Sequence, residues 1–182
     1  MGGWTNAAHT SYRHLYTFTT SHLREALKMN NNKQVTITVD GACLGNGQAQ
    51  TRAAAAAILS YRGHRRAVAE FIGQGTNQRA EIIAAACGLE SLTQPCNVIL
   101  RSDSQYLVET MSGNFKRKRN HDCWTRLDNA AKIHTVTYQW IKGHDGDPEQ
   151  EATDNIARAT AQGGQVDPTI LTQTIAQLAN SN

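Results

Sequence analysis

The chain has 182 residues, 40% of them apolar and 6% aromatic, with a formal net charge of +3. That length suits one domain with a substantial core and terminal segments, and is short for two. The mild basicity, a pI near 8.7, permits a polyanionic partner without demanding one, and the lack of any long apolar run argues against a membrane span or secretory signal, so a cytoplasmic location is expected.

Residues 1–33 are polar and mixed, with Trp4, Tyr12, Tyr16 and Phe18 scattered among them. A short helix is expected around residues 21–29, before the linker-like run Asn30-Asn31-Asn32. This N-terminal extension ends where Val35, Ile37 and Val39 begin to alternate with Thr36 and Thr38, a β-branched strand expected to stop at Asp40-Gly41. A loop with Gly45 and Gly47 leads to two further strands, Ala53 to Ser60 and Arg65 to Ile72, turning at Tyr61-Arg62-Gly63-His64. The alanine run in the second favours helix by propensity, but the flanking turns favour strand.

Asn77 to Leu92 reads as a helix, with Ile82, Ile83, Ala86 and Leu89 on one face and Glu81 in its first turns. Val98, Ile99 and Leu100 form a fully apolar strand, as a buried central strand should, followed by Asp103. A short helix from Ser104 to Met111, another marked by Trp124, Leu127, Ala130 and Ala131, and a fifth strand of Val136, Tyr138, Trp140 and Ile141 come next. Pro148 suits the first turn of a helix running to about Ala161, with Asp154 in its middle. Residues 163–182 form a tail with a helix expected from Pro168 to Leu178. The pattern predicts an α/β domain over 34–162: a mixed five-stranded sheet flanked by helices, three strands joined as an antiparallel meander and then strands alternating with helices.

Cys43, Cys87, Cys96 and Cys123 form no Cys-x-x-Cys pair and keep no regular spacing from histidine, so reduced thiols are expected rather than a zinc site or disulfide framework. The acids are more informative. If the first and fourth strands are parallel neighbours, Asp40 and Asp103 emerge at one carboxyl edge, where ligand sites gather in open α/β sheets. Glu81 and Asp154 join them if their helices lie across that edge. Converging carboxylates repel unless a cation joins them, and an all-oxygen set suits Mg²⁺. Without it, some of these carboxyl pKa values should be raised.

Each acid lies in a recognisable string: Thr38-Val39-Asp40-Gly41, Thr76-Asn77-Gln78-Arg79-Ala80-Glu81, Ser102-Asp103-Ser104-Gln105-Tyr106, and Trp140-Ile141-Lys142-Gly143-His144 followed by Asp154. In order and spacing these strings closely resemble type 1 ribonuclease H over about residues 34–161. The resemblance implies the ribonuclease H-like fold, with two parallel strands after the antiparallel three, and hydrolysis of the RNA strand of RNA–DNA hybrids to 5′-phosphate and 3′-hydroxyl ends. It implies Asp40, Glu81, Asp103 and Asp154 as carboxylate ligands of two Mg²⁺ ions, with Mn²⁺ a possible substitute, and no organic cofactor. Two such ions about 3.5–4 Å apart serve attacking water and departing oxygen alike. His144 would assist proton transfer or product release, and its near-neutral reference pKa suits it to carry protons. Cys43, Gly45, Asn46, Gln78 and Gln105 would border the RNA, and Thr76, Asn77 and Asn120 the DNA, with Thr76 and Asn120 gripping a phosphate. A monomer is expected.

The resemblance falters at the loop 47–52, at Gln74, where many relatives carry arginine, and at Gln150, where many carry asparagine. The stretch from Asp103 to Trp124 leaves no room for a long basic helix-loop, so Lys116-Arg117-Lys118-Arg119 stands as a shorter electrostatic contact. A transposase or integrase core of the same superfamily is disfavoured by Lys142-Gly143-His144 and Gln105. A catalytically silent nucleic-acid-binding domain would be expected to lose an acid, and none is missing.

Overall fold

The computed structural model describes residues 34–45, 47–143 and 145–180. The extension helix expected near residues 21–29, Asn46 and His144 lie outside them. Five strands form one sheet: β1 (Gln34–Leu44), β2 (Arg52–Tyr61), β3 (His64–Gly73), β4 (Asn97–Ser102) and β5 (Thr135–Trp140). Their order is β3-β2-β1-β4-β5, antiparallel across β3, β2 and β1 and parallel across β1, β4 and β5. The helices are α1 (Asn77–Glu90), α2 (Gln105–Met111), α3 (His121–Ala131), α4 (Pro148–Gly163) and α5 (Pro168–Asn180).

The alanine run is strand, and its period of two shows why. Ala55, Ala57 and Leu59 join the core under α1, while Ala54, Ala56 and Ile58 join the core under α4. The small side chains of residues 53–57 let a helix settle close to β2 on each face of the sheet. Gly88 of α1 shows how near the helix comes: a Cβ there would lie 2.7 Å from Ile37 Cγ2. Burial between two helices outweighs the weak β propensity of alanine.

One boundary differs from expectation. β1 does not stop at Asp40-Gly41 but runs on to Leu44, because Gly41 to Leu44 keep pairing with Ala55 to Arg52. Its parallel partner ends earlier, at Thr38↔Arg101. Beyond that point β1 is paired on one side only, and Asp40 sits where β1 and β4 part. The C-terminal α5 covers the outer strands, where Ile170, Leu171, Ile175 and Leu178 pack with Ala67, Ala69 and Phe71 of β3 and Ala157 and Ala161 of α4. No described helix is long and apolar enough to cross a membrane.

Candidate metal centre

The parting of β1 from β4 is the topological switch point of the sheet, antiparallel on one side and parallel on the other, and it opens a crevice at the strand ends. Asp40 enters from β1. Glu81 enters from α1, held close because Gly41 lets the helix backbone approach: a Cβ on Gly41 would fall 2.4 Å from Glu81 N. Asp103 follows β4, where Trp140 Nε1 donates to its carbonyl at 3.0 Å and Ile141 N donates to Ser102 O at 3.0 Å. Ligand oxygens of Asp40, Glu81 and Asp103 all lie within 4.8 Å of one another. Gly143 borders the same spot, since a Cβ there would meet Asp103 Oδ2 at 2.5 Å.

The fourth acid stands apart from this trio. Asp154 lines the same pocket of about 210 Å³, but its oxygens Oδ1 and Oδ2 accept from Arg158 Nε at 2.7 and 2.8 Å. The α4 helix that carries it is anchored by Asp147, which caps the helix by accepting from Glu149 N and Gln150 N and pairs with Arg101 at the end of β4. A larger pocket of about 330 Å³ lies beside Val35, Tyr61 and Leu92 and is lined by no carboxylate.

Electrostatics mark two of the trio, Asp40 and Glu81. Burial, then the charges of Asp103 and Asp154, push the Asp40 carboxyl up to about 8, against the Gly41 N–H and the Arg158 charge. Burial, then the charges of Asp40 and Asp103, hold Glu81 well above the usual carboxylate range. Asp40 is nonetheless bonded on both oxygens, from Gly41 N to Oδ1 at 2.7 Å and from Gln150 Nε2 to Oδ2 at 3.0 Å. Asn77 Nδ2 donates to Glu81 Oε1 at 3.3 Å, while the buried Glu81 Oε2 has no protein partner. Crowded, partly unsatisfied carboxylate oxygens, with no nitrogen or sulfur ligand among them, fit a hard divalent cation.

Of the other candidates, Cys43, Gly45 and Asn77 lie in or beside the pocket. The Cys43 thiol lines it and donates to Gly75 O at 3.4 Å. Gly45 has a φ of +69° and opens the turn that Gln48 N closes on its carbonyl. Gln78 and Gln105 are exposed on the first turns of α1 and α2. Thr76 caps α1 by accepting from Arg79 N, whereas Asn120 precedes α3 in the left-handed region, at φ 57°, with its side chain making no cap. Arg79 Nη1 bonds Asp122 Oδ1 at 3.0 Å, linking the first turns of α1 and α3. The departures at 47–52 and Gln74 prove to be one unit: Gln74 Nε2 donates to Ala49 O, and Thr51 Oγ1 both donates to Gly75 O and accepts from Gly75 N.

Two residues outside the candidate set act on the acids. Gln150, a departure from the family pattern, is the buried amide that holds Asp40. Arg158 lies outside every motif, although its i,i+4 spacing from Asp154 on a helix is a usable signal.

The description ribonuclease H covers the family model that matches residues 32–162. A ribonuclease H of Shewanella sp. (strain ANA-3) is 38% identical over 143 residues, 71% of this chain and 89% of that protein. One of Enterobacter sp. (strain 638) is 40% identical over 142 residues, 71% of this chain and 90% of that protein. Among solved structures, LC9-RNase H1, a type 1 RNase H with the type 2 active-site motif, matches the fold with a TM-score of 0.64 at 24% identity, over 76% of this chain and 79% of that one. LC11-RNase H1, solved in complex with an RNA/DNA hybrid, matches with a TM-score of 0.56 at 19% identity, over 69% of this chain and 98% of that one. The chain belongs to the ribonuclease H family, and so to the metal-dependent endonucleases.

Proposed function

We propose that the chain hydrolyses the RNA strand of RNA–DNA hybrids, leaving 5′-phosphate and 3′-hydroxyl ends, and that Asp40, Glu81, Asp103 and Asp154 hold two divalent cations, Mg²⁺ or in its place Mn²⁺. The observation that carries this reading is the meeting of Asp40, Glu81 and Asp103 oxygens within 4.8 Å at the strand ends. The names of the relatives, and the hybrid bound by LC11-RNase H1, support the substrate. Divalent cations supply Lewis acidity to the attacking water and the departing 3′ oxygen.

The protein's own groups do the rest. Gln150 and the Gly41 N–H orient Asp40, Asn77 orients Glu81, and the Trp140 indole fixes the backbone that presents Asp103. His144 is assigned proton transfer or product release by the same family likeness. Cys43, Gly45, Asn46, Gln78 and Gln105 are assigned to the RNA strand, whose 2′-hydroxyl distinguishes it from DNA. Thr76, Asn77 and Asn120 are assigned to the DNA strand. The Arg79–Asp122 link joins the first turns of α1 and α3, at whose starts Thr76 and Asn120 stand, which supports assigning both to one phosphate.

The test is incubation of the full chain with labelled RNA–DNA hybrid, duplex DNA and duplex RNA, each with Mg²⁺, Mn²⁺ or EDTA. Cleavage confined to the hybrid's RNA strand, lost in EDTA and lost in Asp103→Asn with hybrid binding kept, is the expected result. Cleavage of duplex DNA, or activity surviving EDTA, would refute it.

The basic run divides in the structure. Arg117 stacks 5.0 Å over the Trp124 ring and bonds Asp128, so it belongs to the fold, while Lys116, Lys118 and Arg119 are exposed. Replacing those three by alanine should flatten the salt dependence of hybrid affinity by about 0.9 in log–log slope for each phosphate they neutralise. An unchanged slope would remove them from the interface.

A further inference from the structure

Gln150, Asp154 and Arg158 stand at i, i+4 and i+8 on α4, so they share one face of the helix. Gln150 bonds Asp40, and Asp154 and Arg158 both line the carboxylate pocket. The Arg158 guanidinium takes both oxygens of Asp154 through one nitrogen. Asp154 is thus the one pocket acid outside the close trio, and the one whose two oxygens both accept from this arginine. The same cation acts on Asp40, whose carboxyl it pulls down against burial.

We propose that Arg158 is a positioning residue that competes with divalent cations for Asp154, neutralising this acid and drawing it from Asp40, Glu81 and Asp103 until cation charge enters the pocket. The proposal rests on the metal-centre reading above. An exposed arginine–aspartate pair one helical turn apart is weak, and Arg158 is 56% exposed in its side chain. A doubly charged cation therefore displaces it readily, yet the exchange lowers cation affinity, since Asp154 must give up its pairing with Arg158 before it can serve the cation. A solvated surface arginine would have no such effect. A merely structural one would change melting and leave cation affinity alone.

Calorimetric titration of Mg²⁺ into the metal-free full chain, without nucleic acid, separates these roles. Arg158→Gln should bind Mg²⁺ about fivefold more tightly than the parent chain, with Arg158→Lys between the two. In an Asp154→Asn background the same Arg158→Gln change should alter affinity less than about twofold, because the group competed for is gone. Mg²⁺ binding that is unchanged or weakened in Arg158→Gln overturns the proposal. So does equal tightening with and without the Asp154 carboxylate, which would mark a general field effect. A parent chain that binds no Mg²⁺ overturns the proposal and the metal centre together, whereas Mg²⁺ binding without hybrid cleavage would sink only the assigned activity.

Discussion

Asp40→Asn is expected to abolish hybrid cleavage and, at the same time, to raise the melting temperature of the metal-free protein near pH 8 by roughly 5–10 °C. The two effects have one cause. The Asp40 carboxyl is pushed up to about 8 by burial and by its acid neighbours, and it is only 6% exposed. A carboxyl whose pKa is higher in the folded chain than in the unfolded one favours folding fully at low pH. That contribution is lost as pH rises from the unfolded value, 3.8, toward the folded one, about 8. Metal-free parent protein should therefore lose stability across that window, and Asp40→Asn should lose less, by about 3 kcal/mol at its upper end.

The hydrogen bonding of the site tolerates the substitution. The new amide oxygen accepts from Gly41 N, and its NH₂ pairs with Gln150 once that amide turns its Oε1 toward residue 40, in place of the Nε2 that donates to Asp40 Oδ2. Saturating Mg²⁺ should narrow the gap, because cation binding stabilises only the chain that retains the ligand. Thermal melts from pH 4 to pH 8, with and without Mg²⁺, check this. Parallel curves for the two proteins would show that Asp40 carries no such charge penalty.

Gly41→Ala is expected to damage both stability and the metal centre, at a cost of about 3 kcal/mol. The new Cβ would lie 2.4 Å from Glu81 N and 2.5 Å from Ala80 C, both backbone atoms of α1. Helix backbone cannot rotate aside as a side chain does, so α1 must move off β1, carrying Glu81 away from Asp40. Gly88→Ala is the natural comparison. It meets the Ile37 side chain at 2.7 Å and Ala57 Cβ at 3.2 Å, under the same helix but away from the acids. Both variants should melt earlier in urea, but only Gly41→Ala should weaken Mg²⁺ binding in calorimetry by more than about tenfold. Equal Mg²⁺ affinity in the two would separate the close approach at Gly41 from the geometry of the acids.

Much of the sheet was legible because its signals are local. β-branched alternation marks β1, apolar continuity marks β4, and Pro148 marks the start of α4. The alanine strand is harder, since alanine favours helix wherever nothing packs on it, and only α1 and α4 on its two faces make it a strand. The end of β1 differs from expectation for a related reason. Asp40-Gly41 looks like a turn in isolation, but pairing with Ala55 and Ala56 keeps it extended. The tail's pattern predicts α5 without placing it, because an amphipathic helix does not say which surface it covers. Apolar side chains from β3 and α4 settle it.

The sequence by itself determined the family, the order of the elements and which four acids belong together, since each acid lies in a string of side chains whose types and spacing are readable without coordinates. Only the tertiary structure decided how those acids divide. Asp40, Glu81 and Asp103 meet where β1 and β4 part, a point set by strand register, while Asp154 lies against Arg158 on the wall of the same pocket. Distances between groups far apart in the chain depend on how closely a helix settles on a sheet, and here that depends on Gly41 and Gly88 having no side chain to hold it off.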